Sequence, residues 1–92
     1  MLARLFDDGS RLAVSLYVDT SGPVPVWLRY RIHYMDAGDR CIFRYDNSAH
    51  HASLSTFPHH KHEGWDERVV ESGPIELIDV LEEIREHVGA TT

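Results

Sequence analysis

Residues 27–46, WLRYRIHYMDAGDRCIFRYD, decide the fold. Successive side chains on a strand point to opposite faces. From Trp27 to Met35, Leu28, Tyr30, Ile32 and Tyr34 share one face, while Arg29, Arg31 and His33 share the other. That alternation predicts a half-buried strand. Asp36-Ala-Gly-Asp39 reads as a tight hairpin turn and Arg40–Asp46 as the returning strand. A two-residue loop at Ala37-Gly38 sets the register: Ile32 faces Phe43, Tyr34 faces Cys41 and Tyr30 faces Tyr45. On the opposite face Arg29 meets Asp46, His33 meets Ile42, and Arg31 meets Arg44. Like charges directly opposite destabilise a sheet, so two facing arginines imply an acid between them or an anion that they hold. One face is thus expected to be a core and the other a basic strip.

Upstream, Arg11–Val18 alternates in the same way, with Leu12, Val14, Leu16 and Val18 on one side. It predicts a second half-buried strand. Thr20–Pro25 is a cluster of chain breakers and reads as a loop. Downstream, Asn47–Pro58 is polar and punctuated by Ser and Pro, again a loop. His59–Glu63 is short and extended, with His60 and His62 on one side and His59 and Lys61 on the other. Gly64-Trp-Asp66 turns the chain, and Arg68–Glu71 forms a short return strand. Pro74–Val88 is the one convincing helix, with Pro at its first position. Leu77, Ile78, Leu81, Ile84 and Val88 form its apolar stripe. Gly89 is a natural stop, with fraying expected over 90–92. The architecture expected is α+β in two layers: an antiparallel sheet of about four or five strands, with one C-terminal helix packed on one face. The other face stays partly open, and Arg29, Arg31, His33 and Arg44 lie on it.

At 92 residues the chain suffices for one modest core and a single domain over 1–92. A hydrophobic content of 42% excludes a disordered chain. The opening MLARLF is broken too soon by Asp7 and Asp8 for a signal peptide, and no apolar run reaches membrane-spanning length. Cys41 is alone, which excludes an internal disulfide and suits a reducing compartment, so the expected location is the cytoplasm. The net charge of −6 is unevenly spread. Residues 63–92 carry nine acids against Arg68 and Arg85, a net −7, whereas residues 1–62 carry seven bases and six acids, a net +1. The histidine-bearing part is therefore neutral to basic and suited to an anion.

Phe43–His62, FRYDNSAHHASLSTFPHHKH, holds five of the seven histidines: His50, His51, His59, His60 and His62. Three explanations compete. Metal-free RNA cleavage needs a base for the ribose 2′-hydroxyl, an acid for the leaving oxygen and cations for the phosphate. Histidines titrating near neutrality supply the first two roles, and Lys61, Arg44 and Arg31 the third. Tyr45 can donate a hydrogen bond or stack on a base. Alternatively, His60-x-His62 on a strand places two rings on one side where Asp46 can complete a metal site, although no known zinc spacing is present. In the plainest case the rings make loop hydrogen bonds or lie in solvent.

Phe43-Arg-Tyr-Asp-Asn47, His50-His51, Thr56-Phe-Pro-His-His-Lys-His62 with Gly64, and Ser72 before a Pro-started amphipathic helix resemble the TumE-type proteins of bacterial and archaeal toxin–antitoxin modules. The resemblance extends to Tyr30-Arg-Ile-His-Tyr34 and covers about Trp27–Val88. Ser48 and Ala52-Ser53 depart from it, at loop positions where other small residues or proline are expected. It implies a small cytoplasmic toxin neutralised by a co-encoded antitoxin, often a helix-turn-helix DNA-binding protein.

The residues themselves point to a metal-independent ribonuclease with no cofactor. His60 and His62 are its expected acid–base pair and His59 or His50 a support. Lys61 and Arg44 are expected at the phosphate, with Tyr45 as donor or stacking group. Arg29, Arg31, His33, Asn47, Asp46 and His51 line the substrate side, with Asp46 and Asn47 orienting a histidine or holding the strand end. The rivals are a non-catalytic RNA- or partner-binding module and a histidine-ligated metal-dependent hydrolase. RNA and an antitoxin are the expected partners, a membrane is not, and self-association is compatible with the sequence.

Overall fold

The computed structural model describes the backbone of residues 2–90 and the side chains of residues 5–88. The elements are β1 (Leu2–Leu5), β2 (Arg11–Asp19), β3 (Val26–Met35), β4 (Cys41–Asp46), β5 (His60–Glu63), β6 (Arg68–Glu71) and α1 (Leu77–Ala90). The strands form one antiparallel sheet in chain order. This is the α+β class that the sequence predicts, an antiparallel sheet with one C-terminal helix. All five strands legible in the sequence are present, and β1 is an addition. Its four residues are too few to show a period. They pair with Arg11–Val14 of β2 across a turn in which Gly9 adopts φ 83.

The central hairpin has the expected strands but a different register. Tyr34 pairs with Phe43, Ile32 with Tyr45, His33 with Arg44 and Arg31 with Asp46. Two effects add up. The turn holds three residues rather than two, closed by Asp36 N–H donating to the Arg40 carbonyl at 2.9 Å, with Asp39 in the left-handed region at φ 66. The Asp36 carboxylate accepts the N–H groups of Gly38 and Arg40 and stabilises this wider turn. A bulge between Tyr34 and Met35 then shifts the ladder once more. A net shift of two residues keeps every side chain on its predicted face. It also removes the expected Arg31–Arg44 clash, since Arg31 now faces an acid.

Leu12, Val14, Tyr30, Ile32, Tyr34, Phe43 and Tyr45 form the buried sheet face, covered by Val80 and Ile84 of α1. The helix differs from expectation at both ends and in its rotation. Pro74 lies outside it, and the Glu76 carbonyl accepts the first helical hydrogen bond, from Val80 N–H. Ala90 is still helical, so Gly89 does not stop it, and fraying at 91–92 falls outside the described residues. Val80 is fully buried, whereas Ile78 and Leu81 are 57% and 39% exposed. The stripe that docks runs through Leu77, Val80, Ile84 and Val88. The shorter Val80 takes the central place because the sheet beneath it is crowded with rings: Tyr34, Phe43 and Tyr45 pack at centroid distances of 5.3 and 5.4 Å.

Candidate functional site

The face opposite the helix presents two cross-strand rows. Ser15, Arg31, Asp46, His60 and Glu71 are partners in one, and Ala13, His33, Arg44, His62 and Val69 in the next. A shallow depression lined by Ala13, Ser15, Arg31 and His33 lies at one end. At the other end stand His60 and His62, with His51 brought over them from the loop before β5. The ring centroids of His60 and His62 are 5.0 Å apart, and His51 lies 5.1 and 5.8 Å from them. His51 holds its backbone at φ 60, a conformation that costs a non-glycine residue about 1–2 kcal/mol.

Asp46 is the hub. Its carboxylate is buried and accepts the Ser48 backbone N–H at 3.1 Å, the Ser48 hydroxyl at 2.8 Å and Arg44 Nε at 3.2 Å. His60 Nε2 is 2.8 Å from Oδ1 and His62 Nε2 is 3.8 Å from Oδ2. Burial alone raises the Asp46 carboxyl pKa, but the bonds from Ser48, the charge of His60 and the hydrogen bond from Arg44 outweigh it and hold it below the usual carboxylate range. Each neighbouring ring is fixed from its far side. His60 Nδ1 donates to the Pro58 carbonyl at 2.9 Å, and His62 Nδ1 to the Glu67 carbonyl at 3.3 Å. Both Nε2 atoms consequently converge on one carboxylate. Burial, then the Arg44 charge, lowers the His62 pKa, so its neutral form dominates at pH 7 and Nε2 carries a lone pair. His33 is lowered for the same two reasons.

Several expected site residues are elsewhere. Lys61 and Tyr45 lie on the helix side of the sheet, as strand alternation requires when His60 and His62 take the other side. Lys61 Nζ bonds Glu83 at 2.8 Å and sits 5.0 Å from the Tyr45 ring centroid. The Tyr45 hydroxyl donates to Glu83 at 2.6 Å, and burial first, then Glu83, pushes its pKa to about 12. Neither group reaches a substrate at the histidines. His59 also points to the helix side, stacked on Tyr30 and sharing a hydrogen bond with its hydroxyl at 2.8 Å. His50 is exposed, 6.4 Å from the His51 ring and beyond the triad. His60 and His62 are themselves buried, 1% and 8% exposed, because His51 from the loop before β5 and the Glu67 carbonyl from the turn after it lie against them.

Asn47 ties strand ends together: its carbonyl oxygen accepts Tyr30 N–H and its amide donates to the Leu28 carbonyl. Arg44 is on the expected face but already paired, with Asp46 and with Glu67 at 2.6 Å. Among the described residues neither Arg29 nor Arg31 forms an ion pair, which leaves both for an anion. Sequence reasoning missed Ser48, Glu67 and the Pro58 carbonyl. Ser48 carries a recognisable signal, because Asp-x-Ser is a turn in which the serine N–H and hydroxyl return to the aspartate.

The nitrogen ligand atoms of His51, His60 and His62 all lie within 4.8 Å of one another, the one such group among the described residues. The cluster can therefore serve proton transfer or hold an ion. Among the described residues no helix is long and apolar enough to cross a membrane. No curated protein and no solved structure matches the chain. The sequence model of the family described as Toxin TumE matches residues 2–89, from β1 through nearly all of α1, and so includes every residue of the histidine face. The chain belongs to the TumE toxin family.

Proposed function

We propose that this toxin cuts RNA by metal-free transesterification at the His51–His60–His62 face and is held in check by a co-encoded helix-turn-helix antitoxin. The observation that carries the reading is the paired fixing of His60 and His62 by backbone carbonyls, which aims both Nε2 atoms at Asp46 on the side of the sheet opposite α1. His62, neutral and at the surface edge of the pair, takes the 2′-hydroxyl proton. The 2′-oxygen attacks phosphorus, the bond to the 5′-oxygen breaks, and a 2′,3′-cyclic phosphate forms. His51, the exposed ring, returns a proton to the departing 5′-oxygen. His60 is too enclosed to touch RNA and acts as a positioning residue, packed against His51 and His62 and bonded to Asp46. Arg31 and Arg29 offset the phosphate charge. Lys61, Tyr45 and His59 belong to the structure of the opposite face.

Expression at matched levels tests this in cells. His51→Ala and His62→Ala are each expected to relieve growth arrest, and RNA from arrested cells to carry new 2′,3′-cyclic phosphate ends. Loss of one acid–base group ordinarily costs about 10²–10⁴ in rate. Arrest that persists in both variants, or arrest without new RNA ends, contradicts the nuclease assignment.

A further inference from the structure

We propose that His51, His60 and His62, with the Asp46 carboxylate beside them, form a binding site for one divalent transition-metal ion of the zinc class. In both buried histidines Nδ1 is bonded to a main-chain carbonyl, Pro58 for one and Glu67 for the other. A ring fixed in this way holds Nε2 in a set orientation as the ligand atom, the arrangement that metal-bound histidines show, and a bound ion takes the place of the proton that His60 Nε2 shares with Asp46 at 2.8 Å. Both Nε2 atoms face the same carboxylate, at 2.8 and 3.8 Å, and His51 brings a third nitrogen within 4.8 Å of the other two.

Ligand atoms around tetrahedral zinc sit about 3.3 Å apart, given bonds of about 2.0–2.2 Å. The histidine–carboxylate separations bracket that spacing. The remaining closure falls to His51, whose ring is exposed on a loop. Three imidazoles and one carboxylate select zinc, nickel or copper over magnesium and calcium, which take oxygen ligands. Arg44 is the charge that opposes a cation here. Its own pairing with Glu67 at 2.6 Å offsets much of that opposition. An ion so placed takes the His62 lone pair and the His51 nitrogen that carries the acid proton, and so inhibits metal-free cleavage. That consequence rests on the proposed function; the site does not.

Metal uptake needs no RNA, so the two can fail separately. Tag-free protein titrated with Co2+ is expected to develop visible absorption bands of a four- or five-coordinate ion and to saturate at one ion per chain. Calorimetry with Zn2+ should give the same stoichiometry, and Mg2+ no uptake. His51→Ala is expected to weaken Zn2+ binding by more than about 10-fold, the least that loss of even an outer partner costs. His62→Gln should do the same, with circular dichroism confirming the fold. His51→Ala, at an exposed position, decides the matter if the other variant unfolds. His50→Ala and His59→Gln should bind as the parent does. No uptake, or uptake that His51→Ala leaves unchanged, overturns the site. Stoichiometric uptake by a protein that never cuts RNA upholds the site and refutes the nuclease.

Discussion

Asp46→Asn keeps the shape of the side chain and removes the charge on which the histidine face is built. The carboxylate is 5% exposed and is bonded to Ser48 twice, to Arg44 and to His60. An amide keeps one acceptor oxygen for Ser48 and His60, but its NH2 group then takes the place of Oδ2 and meets the Arg44 Nε–H donor. Removing one partner of a buried ion pair costs about 3–5 kcal/mol. Arg44 retains Glu67, so the low end, about 3 kcal/mol, is expected. A domain of this size loses about 4–8 °C of Tm per kcal/mol, which places the fall at roughly 12–24 °C near pH 7. Thermal and urea unfolding followed by circular dichroism measure it.

The pH dependence gives an internal check on the same variant. Asp46 has a folded pKa below its ordinary 3.8. Its anion therefore contributes stability above that value, and the contribution is lost as pH falls through the folded pKa. The gap between parent and variant should close only as pH falls below the ordinary carboxylate range. Glu67→Gln, at a half-exposed partner, should cost less than about 1 kcal/mol. A loss below about 1 kcal/mol for Asp46→Asn as well would equal that of an exposed pair and refute Asp46 as the hub.

Ile84→Ala should cost about 2–5 kcal/mol, whereas Leu81→Ala, at an exposed position, should change unfolding by under about 1 kcal/mol; equal losses would mean α1 is rotated. Because the folded chain lowers the pKa of His33 and His62, the unfolded chain binds more protons once pH drops below about 6.5. Tm should fall as pH goes from 7 to 5, less steeply in His33→Gln, and a rise over that range would contradict the burial of these rings. Arg31→Ala should weaken RNA binding by fluorescence anisotropy and reduce its salt slope by about 1, while Lys61→Ala, whose charge is spent on Glu83, should not.

Alternation was the legible part of this chain. It placed Tyr30, Ile32, Tyr34, Phe43 and Tyr45 inside, and it separated His60 and His62 from Lys61. Face assignments survive a register change of two, so the sheet was readable although the hairpin pairs were not. The bulge at Tyr34–Met35 and the wider turn around Asp39 depend on backbone geometry that carries no residue pattern. The helix was legible as an element but not in rotation, since Val80 and Leu81 are equally apolar and only the rings beneath distinguish them. A histidine cluster was legible as a cluster, with Asp46 as its orienting acid. Its membership was not. His51 enters through a loop turn, His59 leaves through contact with Tyr30, and Lys61 is taken by Glu83, thirty-eight residues beyond its strand partner Tyr45. Each of these is a tertiary contact with no local signature.

The most direct measurement is the cleavage of a defined RNA by purified tag-free protein in excess chelator across pH 5–9. Cleavage is expected to persist without metal, to yield 2′,3′-cyclic phosphate ends and to follow a bell-shaped profile peaking on the order of pH 6–7.5, where one ring is neutral and another charged. His62→Ala should abolish the limb that reports the base, with apparent pKa values belonging to the coupled cluster. Cleavage that appears only when a divalent ion is restored, or none at all from a protein that still arrests growth, would contradict metal-free cleavage at the histidine face.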